Sequence, residues 1–128
     1  MENFTIEAGE ENHKVILSVS LTEQGISTLL TGGDRPHVGG MVLAVPRTSL
    51  TGSGISSDVW IVPVPGHKDV TAAEQVATVI CRETGEVVAV TAGIHIDGAT
   101  GKDLELILKN VQEGARLAAA ECKKRKTK

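Results

Sequence analysis

Aromatic residues are almost missing from this sequence: Phe4 and Trp60 are the only two, and there is no tyrosine. A core must therefore be assembled from Val, Ile, Leu and Ala, and the stacked ring platforms that hold single-stranded nucleic acid have nothing to be built from. Cysteine is scarce too. Cys81 and Cys122 stand far apart, without the C-x-x-C or Cys/His spacing of a zinc site, and read as reduced thiols. No apolar run approaches the ~20 residues of a membrane-spanning helix. The N-terminal stretch, with Glu2, Glu7, Glu10 and Glu11, is the reverse of a signal peptide, so a cytoplasmic protein without membrane partners is expected.

Positive charge is thin over most of the chain. Five of the thirteen basic residues, Lys123, Lys124, Arg125, Lys126 and Lys128, sit at the C-terminus, which leaves eight against sixteen acidic residues in 1–122. An acidic body of this kind argues against binding duplex nucleic acid. With 128 residues the chain suits one domain, expected over 1–122, followed by a disordered basic tail over 123–128. What is plentiful is glycine: fourteen residues, more than a plain scaffold of this length requires.

The first half alternates like strands, over residues 4–8, 15–21, 26–31, 41–45 and 59–64, with the apolar run 41–45 suited to burial on both faces. Pro46 is expected to end one strand, and Pro63 and Pro65 another. Residues 47–57, rich in Gly and Ser, read as an exposed connection. The period then changes. Thr71 and Glu74 have capping-box spacing ahead of Ala73, Val76, Ala77 and Ile80, and Gly85 stands where a helix over 71–83 would end. A valine-rich strand over 86–92 follows, then a loop, then a helix over 101–121 opened by Thr100 and Asp103. The expected class is α/β or α+β: a mixed, mostly antiparallel sheet of about six strands carrying two long helices.

Three loops concentrate the unusual residues: Gly32-Gly33-Asp34-Arg35-Pro36-His37-Val38-Gly39-Gly40, Pro65-Gly66-His67-Lys68-Asp69, and Gly93-Ile94-His95-Ile96-Asp97-Gly98-Ala99-Thr100. If the strand 41–45 lies between those ending near Thr31 and Val64, all three turns meet at one sheet edge, with the 47–57 connection opposite. Two helix N-termini would then point at one place, where unpaired backbone N–H groups favour a phosphate. Arg35, Lys68, His37, His67 and His95 would add donors. Plainer roles stand beside these. The glycines also permit tight turns, Asp69 and Asp97 also suit helix capping, and His37, His95 and Asp97, though without tight spacing, are candidates for a divalent metal. His13, isolated between Asn12 and Lys14, reads as a surface residue. No G-x-S-x-G elbow and no Walker phosphate loop occur, so no catalytic constellation can be assembled.

At these loops the sequence resembles the LpdD-like family, accessory proteins of UbiD-type decarboxylases of hydroxyarylic acids such as gallate. The resemblance rests on TGGDRPHVGG with MVLAVPR, on SGISSDVWIVPVPGHKD, and on VTAAEQVATVICRETGEVVAVTAGIHIDGAT, spanning roughly residues 25–110. It implies a chaperone for prenylated flavin mononucleotide, with flavin mononucleotide itself as a related ligand, delivering the cofactor to the large decarboxylase subunit. It also implies a fold similar to proteasome-assembly-chaperone-like domains and association into homo-oligomers. The cofactor-binding set assigned from the loops' own chemistry is Gly33, Asp34, Arg35, Pro36, His37, Gly39, Gly66, His67, Lys68, His95, Asp97 and Gly98, and no residue is expected to be catalytic. Two other readings remain: a small enzyme acting on a phosphorylated metabolite, with His67 or His95 as acid/base, and a structural subunit of the decarboxylase.

Overall fold

The structure, a computed structural model, describes residues 1–126. Its elements in chain order are β1 (Glu2–Ala8), a short 3-10 turn (Glu11–His13), β2 (Val15–Leu21), β3 (Ile26–Gly33), β4 (Gly40–Thr48), β5 (Ile55–Pro63), α1 (Val70–Thr84), β6 (Val88–His95) and α2 (Gly101–Lys126). The six strands form one sheet in the order β1-β2-β3-β6-β4-β5. Only the β3–β6 pair is parallel.

Alternation decides which face is covered. In β2, Val15, Leu17, Val19 and Leu21 are buried, and their cross-strand partners Leu30, Thr28 and Ile26 continue the buried face into β3. Val88, Val90 and Ala92 of β6 and Val42 and Ala44 of β4 extend it. Helix α1 packs over β4, β5 and β6, and α2 over β1 and β2, with the two helices in mutual contact. Each presents small residues inward, Ala72, Ala73 and Ala77 on α1 and Gly114, Ala115, Ala118 and Ala119 on α2. A Cβ at Gly114 would stand 2.7 Å from Leu17 Cδ1, so glycine lets α2 lie this close to the sheet.

Among the described residues, the other face of the sheet has no covering layer. Its β1–β2 half is polar, through Asn3, Thr5, Ser18 and Ser20, whereas its β3–β5 half exposes Leu29, Met41, Leu43, Trp60 and Val62. The apolar run 41–45 is therefore buried on alternate sides only, contrary to the expectation from its continuous hydrophobicity.

Several other expectations are corrected. The sheet is not a meander: β5, α1 and β6 form a crossover that passes β4 and lays β6 between β3 and β4. Pro46 does not end β4, because β6 stops pairing at Ala44 and a residue without an N–H is tolerated where one side is already unpaired. The connection expected over 47–57 shrinks to residues 49–54, with Arg47 inside β4 bonded to Asp58 at 2.7 Å. The C-terminal basic residues continue α2 as far as Lys126 rather than forming a loose tail. Arg125 pairs with Glu2 and Glu121 and lies over the Phe4 ring, and Lys126 binds the Thr22 carbonyl, cations placed where the helix dipole favours them. Thr127 and Lys128 lie outside the described residues.

Among the remaining expectations, Gly85 ends α1 in the left-handed region at φ 71°, donating to the Cys81 carbonyl. Cys81 and Cys122 are buried free thiols, and burial pushes the Cys122 thiol up to about 11. His13 is not a free surface residue. Its Nε2 meets Asp103 Oδ1 at 2.8 Å, tying the first turn to the start of α2. No helix among the described residues is long and apolar enough to cross a membrane.

Candidate functional site

Strand direction brings the three loops together. β3 and β6 run parallel, so Gly33 and His95 end side by side; β4 starts at Gly40 opposite Ala92, and β5 ends at Pro63 opposite Gly40. The loops after β3, before α1 and before α2 thus leave one end of the sheet. Backbone hydrogen bonds knit them: Asp34 N–H to the His95 carbonyl at 2.7 Å, Gly39 N–H to Ala92 at 2.8 Å, and Val64 N–H to Gly39 at 3.0 Å. Such closeness needs missing side chains. A Cβ at Gly93 would fall 1.5 Å from the His37 carbonyl oxygen, and one at Gly39 would fall 1.9 Å from Asp69 Oδ2.

Asp69 is the hub of the assembled loops. Its side chain is only 9% exposed, with Oδ1 accepting the Ile94 N–H at 2.9 Å and Oδ2 lying 3.0 Å from His37 Nε2 and 3.8 Å from His67 Nδ1. The His37 and His67 rings are 4.7 Å apart between centroids, and His95 is 6.2 Å from His37. Asp69 also occupies the residue before α1, but its carboxylate makes no capping bond. The Thr71/Glu74 box is not the start of this helix, which begins at Val70. Among the described residues the first N–H groups of α1 have no side-chain acceptor, and the Thr71 N–H reaches only the Lys68 carbonyl, at 3.5 Å.

The start of α2 is different. Thr100 N–H donates to Asp103 Oδ2 at 2.8 Å and Asp103 N–H to Thr100 Oγ1 at 3.2 Å, a closed capping box. These bonds, led by the Thr100 backbone and followed by His13, lower the Asp103 carboxyl to about 2. Only one of the two helix starts expected to attract an anion is therefore open, because the other already holds a carboxylate.

Beside this opening lies a cavity of about 340 Å³. Its polar rim is Gly66, His67, Lys68, Asp69, Thr71 and His95; its apolar wall is Ala72, Ile94, Ile96, Ala99, Leu104, Ile107 and Leu108. Lys68 has no ion-pair partner among the described residues. A buried floor against an uncapped helix start, with a free cation at the rim, suits a ligand having an apolar body and an anionic end.

Of the residues expected from sequence, Gly66, His67, Lys68 and His95 line this cavity, and His37 stands behind its rim through Asp69. Gly33 and Gly39 shape the loop packing. Asp34, Arg35 and Asp97 form a separate exposed network: Arg35 pairs with Asp97, whose N–H donates to Asp34 Oδ2 at 3.1 Å, and His95 Nε2 lies 3.0 Å from Asp97 Oδ1. The Asp97 carboxyl is held below its usual range, first by Arg35 and then by His95. Arg35 is thus committed to Asp97 rather than to the cavity, and Pro36 and Gly98 do not line the cavity either. The candidate metal group also changes. His37 is retained, but its neighbours are His67 and Asp69, with ligand atoms all within 4.8 Å of one another, while His95 and Asp97 pair together.

Sequence reading missed Asp69 as a hub and the α2 residues Leu104, Ile107 and Leu108 as a wall. The signal for Asp69 was present in two H-x-D triplets, His67-Lys68-Asp69 and His95-Ile96-Asp97. The α2 wall had no separate signal, since the same heptad-like stripe serves the core farther along.

One six-stranded sheet with both helices on one face and a loop-built cavity at one end defines a two-layer α/β domain. In line with this, 88% of the chain superposes on 89% of a chain from the crystal structure of a novel chaperone complex for yeast 20S proteasome assembly, with TM-score 0.58 and 16% identity. The chain belongs to the prenylated flavin chaperone LpdD-like domain family, whose model matches residues 9–123. A comparison with the curated proteins finds no match.

Proposed function

We propose that this protein is a non-catalytic carrier that binds prenylated flavin mononucleotide and helps deliver it to a UbiD-type decarboxylase. Membership of the LpdD-like family supports prenylated flavin as the cargo. The observation that carries the reading at this chain's own residues is the cavity itself: an uncapped α1 start and an unpaired Lys68 at the rim of an aliphatic wall. The phosphate would meet Lys68, His67 and the α1 N–H groups, and the modified ring would lie against Ile94, Ile96, Leu104 and Leu108. At about 340 Å³ the cavity is at the small end of the roughly 300–1,000 Å³ range of ligand sites, so part of the cargo would stay outside, as transfer requires.

Both cysteines are buried in the helices, away from the cavity lining. The proposed partners are the decarboxylase large subunit and further copies of this chain, for which the uncovered sheet face with Leu29, Met41, Leu43, Trp60 and Val62 offers apolar area. The proposed location is the cytoplasm.

Anaerobic gel filtration of the purified protein with flavin mononucleotide and with its prenylated form tests the reading. Co-elution of the prenylated cofactor, and its transfer to an apo-decarboxylase with recovery of decarboxylation, is the expected result. Neither flavin co-eluting under oxygen-free conditions would falsify the carrier role.

A further inference from the structure

The contact between His37 and Asp69 calls for a positive charge. His37 Nδ1 lies 3.1 Å from the Arg35 carbonyl oxygen, which can only accept, so Nδ1 carries the hydrogen. In the neutral ring this leaves a lone pair on Nε2, and that nitrogen faces Asp69 Oδ2 at 3.0 Å. A carboxylate oxygen also only accepts. A positive charge therefore belongs between them, either a proton on His37 Nε2 or a metal cation, and the imidazole of His67 adds a third potential ligand atom, its Nδ1 3.8 Å from the same oxygen.

We propose that His37 Nε2, His67 Nδ1 and Asp69 Oδ2 hold one divalent transition-metal cation, and that the cation takes the phosphate of the cargo as a further ligand. The second half rests on the carrier reading above; the first half does not. Two imidazoles and one carboxylate suit Zn²⁺, Mn²⁺, Fe²⁺, Co²⁺ or Ni²⁺, whereas Mg²⁺ and Ca²⁺ prefer all-oxygen sets. Three protein ligands leave coordination positions open, and His67 and Asp69 both line the cavity.

The surroundings already orient two of the three ligands. The Arg35 carbonyl fixes the His37 tautomer, and the Ile94 N–H holds the other oxygen of Asp69 at 2.9 Å, the outer hydrogen bonds that metal ligands commonly have. Gly39 leaves the space beside Asp69 Oδ2 that any side chain would fill. A cation there, with Lys68 nearby, would set two positive groups before a phosphate at the open start of α1.

Protein stripped with a chelator and then titrated with Co²⁺, followed by its visible absorption and by elemental analysis, tests the site. One equivalent is expected, with affinity about 10- to 100-fold weaker in Asp69→Asn and in the more exposed His67→Ala, each checked for native circular dichroism. Asp97→Asn is expected to bind Co²⁺ as the parent does. Flavin mononucleotide and its prenylated form should then bind more tightly to loaded than to stripped protein. Absence of stoichiometric Co²⁺ uptake, or uptake indifferent to both ligand variants, overturns the proposal and leaves a plain His37–Asp69 ion pair. Flavin affinity equal with and without metal overturns the bridging half. Specific metal uptake with no flavin binding at any loading instead supports the metal site and removes the carrier reading.

Discussion

Gly33, Gly39 and Gly93 at the cavity end of the sheet serve a purpose opposite to that of Gly52 and Gly54 at the far end. At the cavity end, a Cβ on Gly33, Gly39 or Gly93 would lie 2.3, 1.9 or 1.5 Å from His95, Asp69 or His37 atoms. At the far end, Gly52 and Gly54 of the β4–β5 turn have positive φ, 83° and 77°, and nothing within 4 Å. One group permits backbones to touch; the other permits the chain to reverse in open solvent. The same residue type therefore marks a crowded, jointly built site in one place and a free-standing turn in the other.

The sharpest way to break this contrast is Gly93→Ala. Its methyl has no room against a backbone carbonyl, so we expect a loss of about 3 kcal/mol or more, or failure to fold, measured by urea unfolding. Next in size, Lys68→Ala should weaken binding of the prenylated flavin about tenfold while leaving stability unchanged, since it loses a charged contact at an exposed position. Isothermal titration under anaerobic conditions reads this effect, and equal affinity would remove the cavity rim from the anion site. At the other end, Gly54→Ala should cost only about 1 kcal/mol, the strain of a positive φ without any clash. A loss comparable to that of Gly93→Ala would erase the distinction.

The smallest effect separates the two helix starts. The Asp103 carboxyl falls from its ordinary 3.8 to about 2 in the folded protein. Its contribution is thus fully present above about pH 3.8 and is lost as pH falls through about 2. Asp103→Asn should be less stable than the parent at neutral pH, and the difference should shrink over that acid window. Thermal unfolding between pH 2 and 7 checks it. A difference independent of pH would show that the ionised box adds nothing at α2, and would make the two helix starts alike.

The sequence carried much of the local architecture. Alternation from Val15 to Leu21 identified β2, Gly85 identified the end of α1, and Thr100 with Asp103 identified the start of α2, because each is decided by neighbours within a few residues. Strand order was not legible. Whether β6 or β4 lies beside β3 depends on how α1 packs across the sheet, which no local pattern encodes. Convergence of the loops was nonetheless readable, since it depends on strand direction: β3, β5 and β6 point the same way in either order, and β4 runs back. Asp69 was obscured by its place before a helix, where an aspartate normally caps. Its carboxylate turns to His37 and Ile94 only because Gly39 and Gly93 bring the first and third loops against it.

The place of β6 governs the order in which the molecule becomes competent. Strands β1–β3 form one antiparallel ribbon and β4–β5 another, and only β6, near the end of the chain, hydrogen-bonds to both. During synthesis the two ribbons emerge from the ribosome with nothing to join them, and Asp69 has no Ile94 amide to receive. The pocket therefore cannot assemble until the chain has been made past β6 and into α2, and a copy halted before β6 has none.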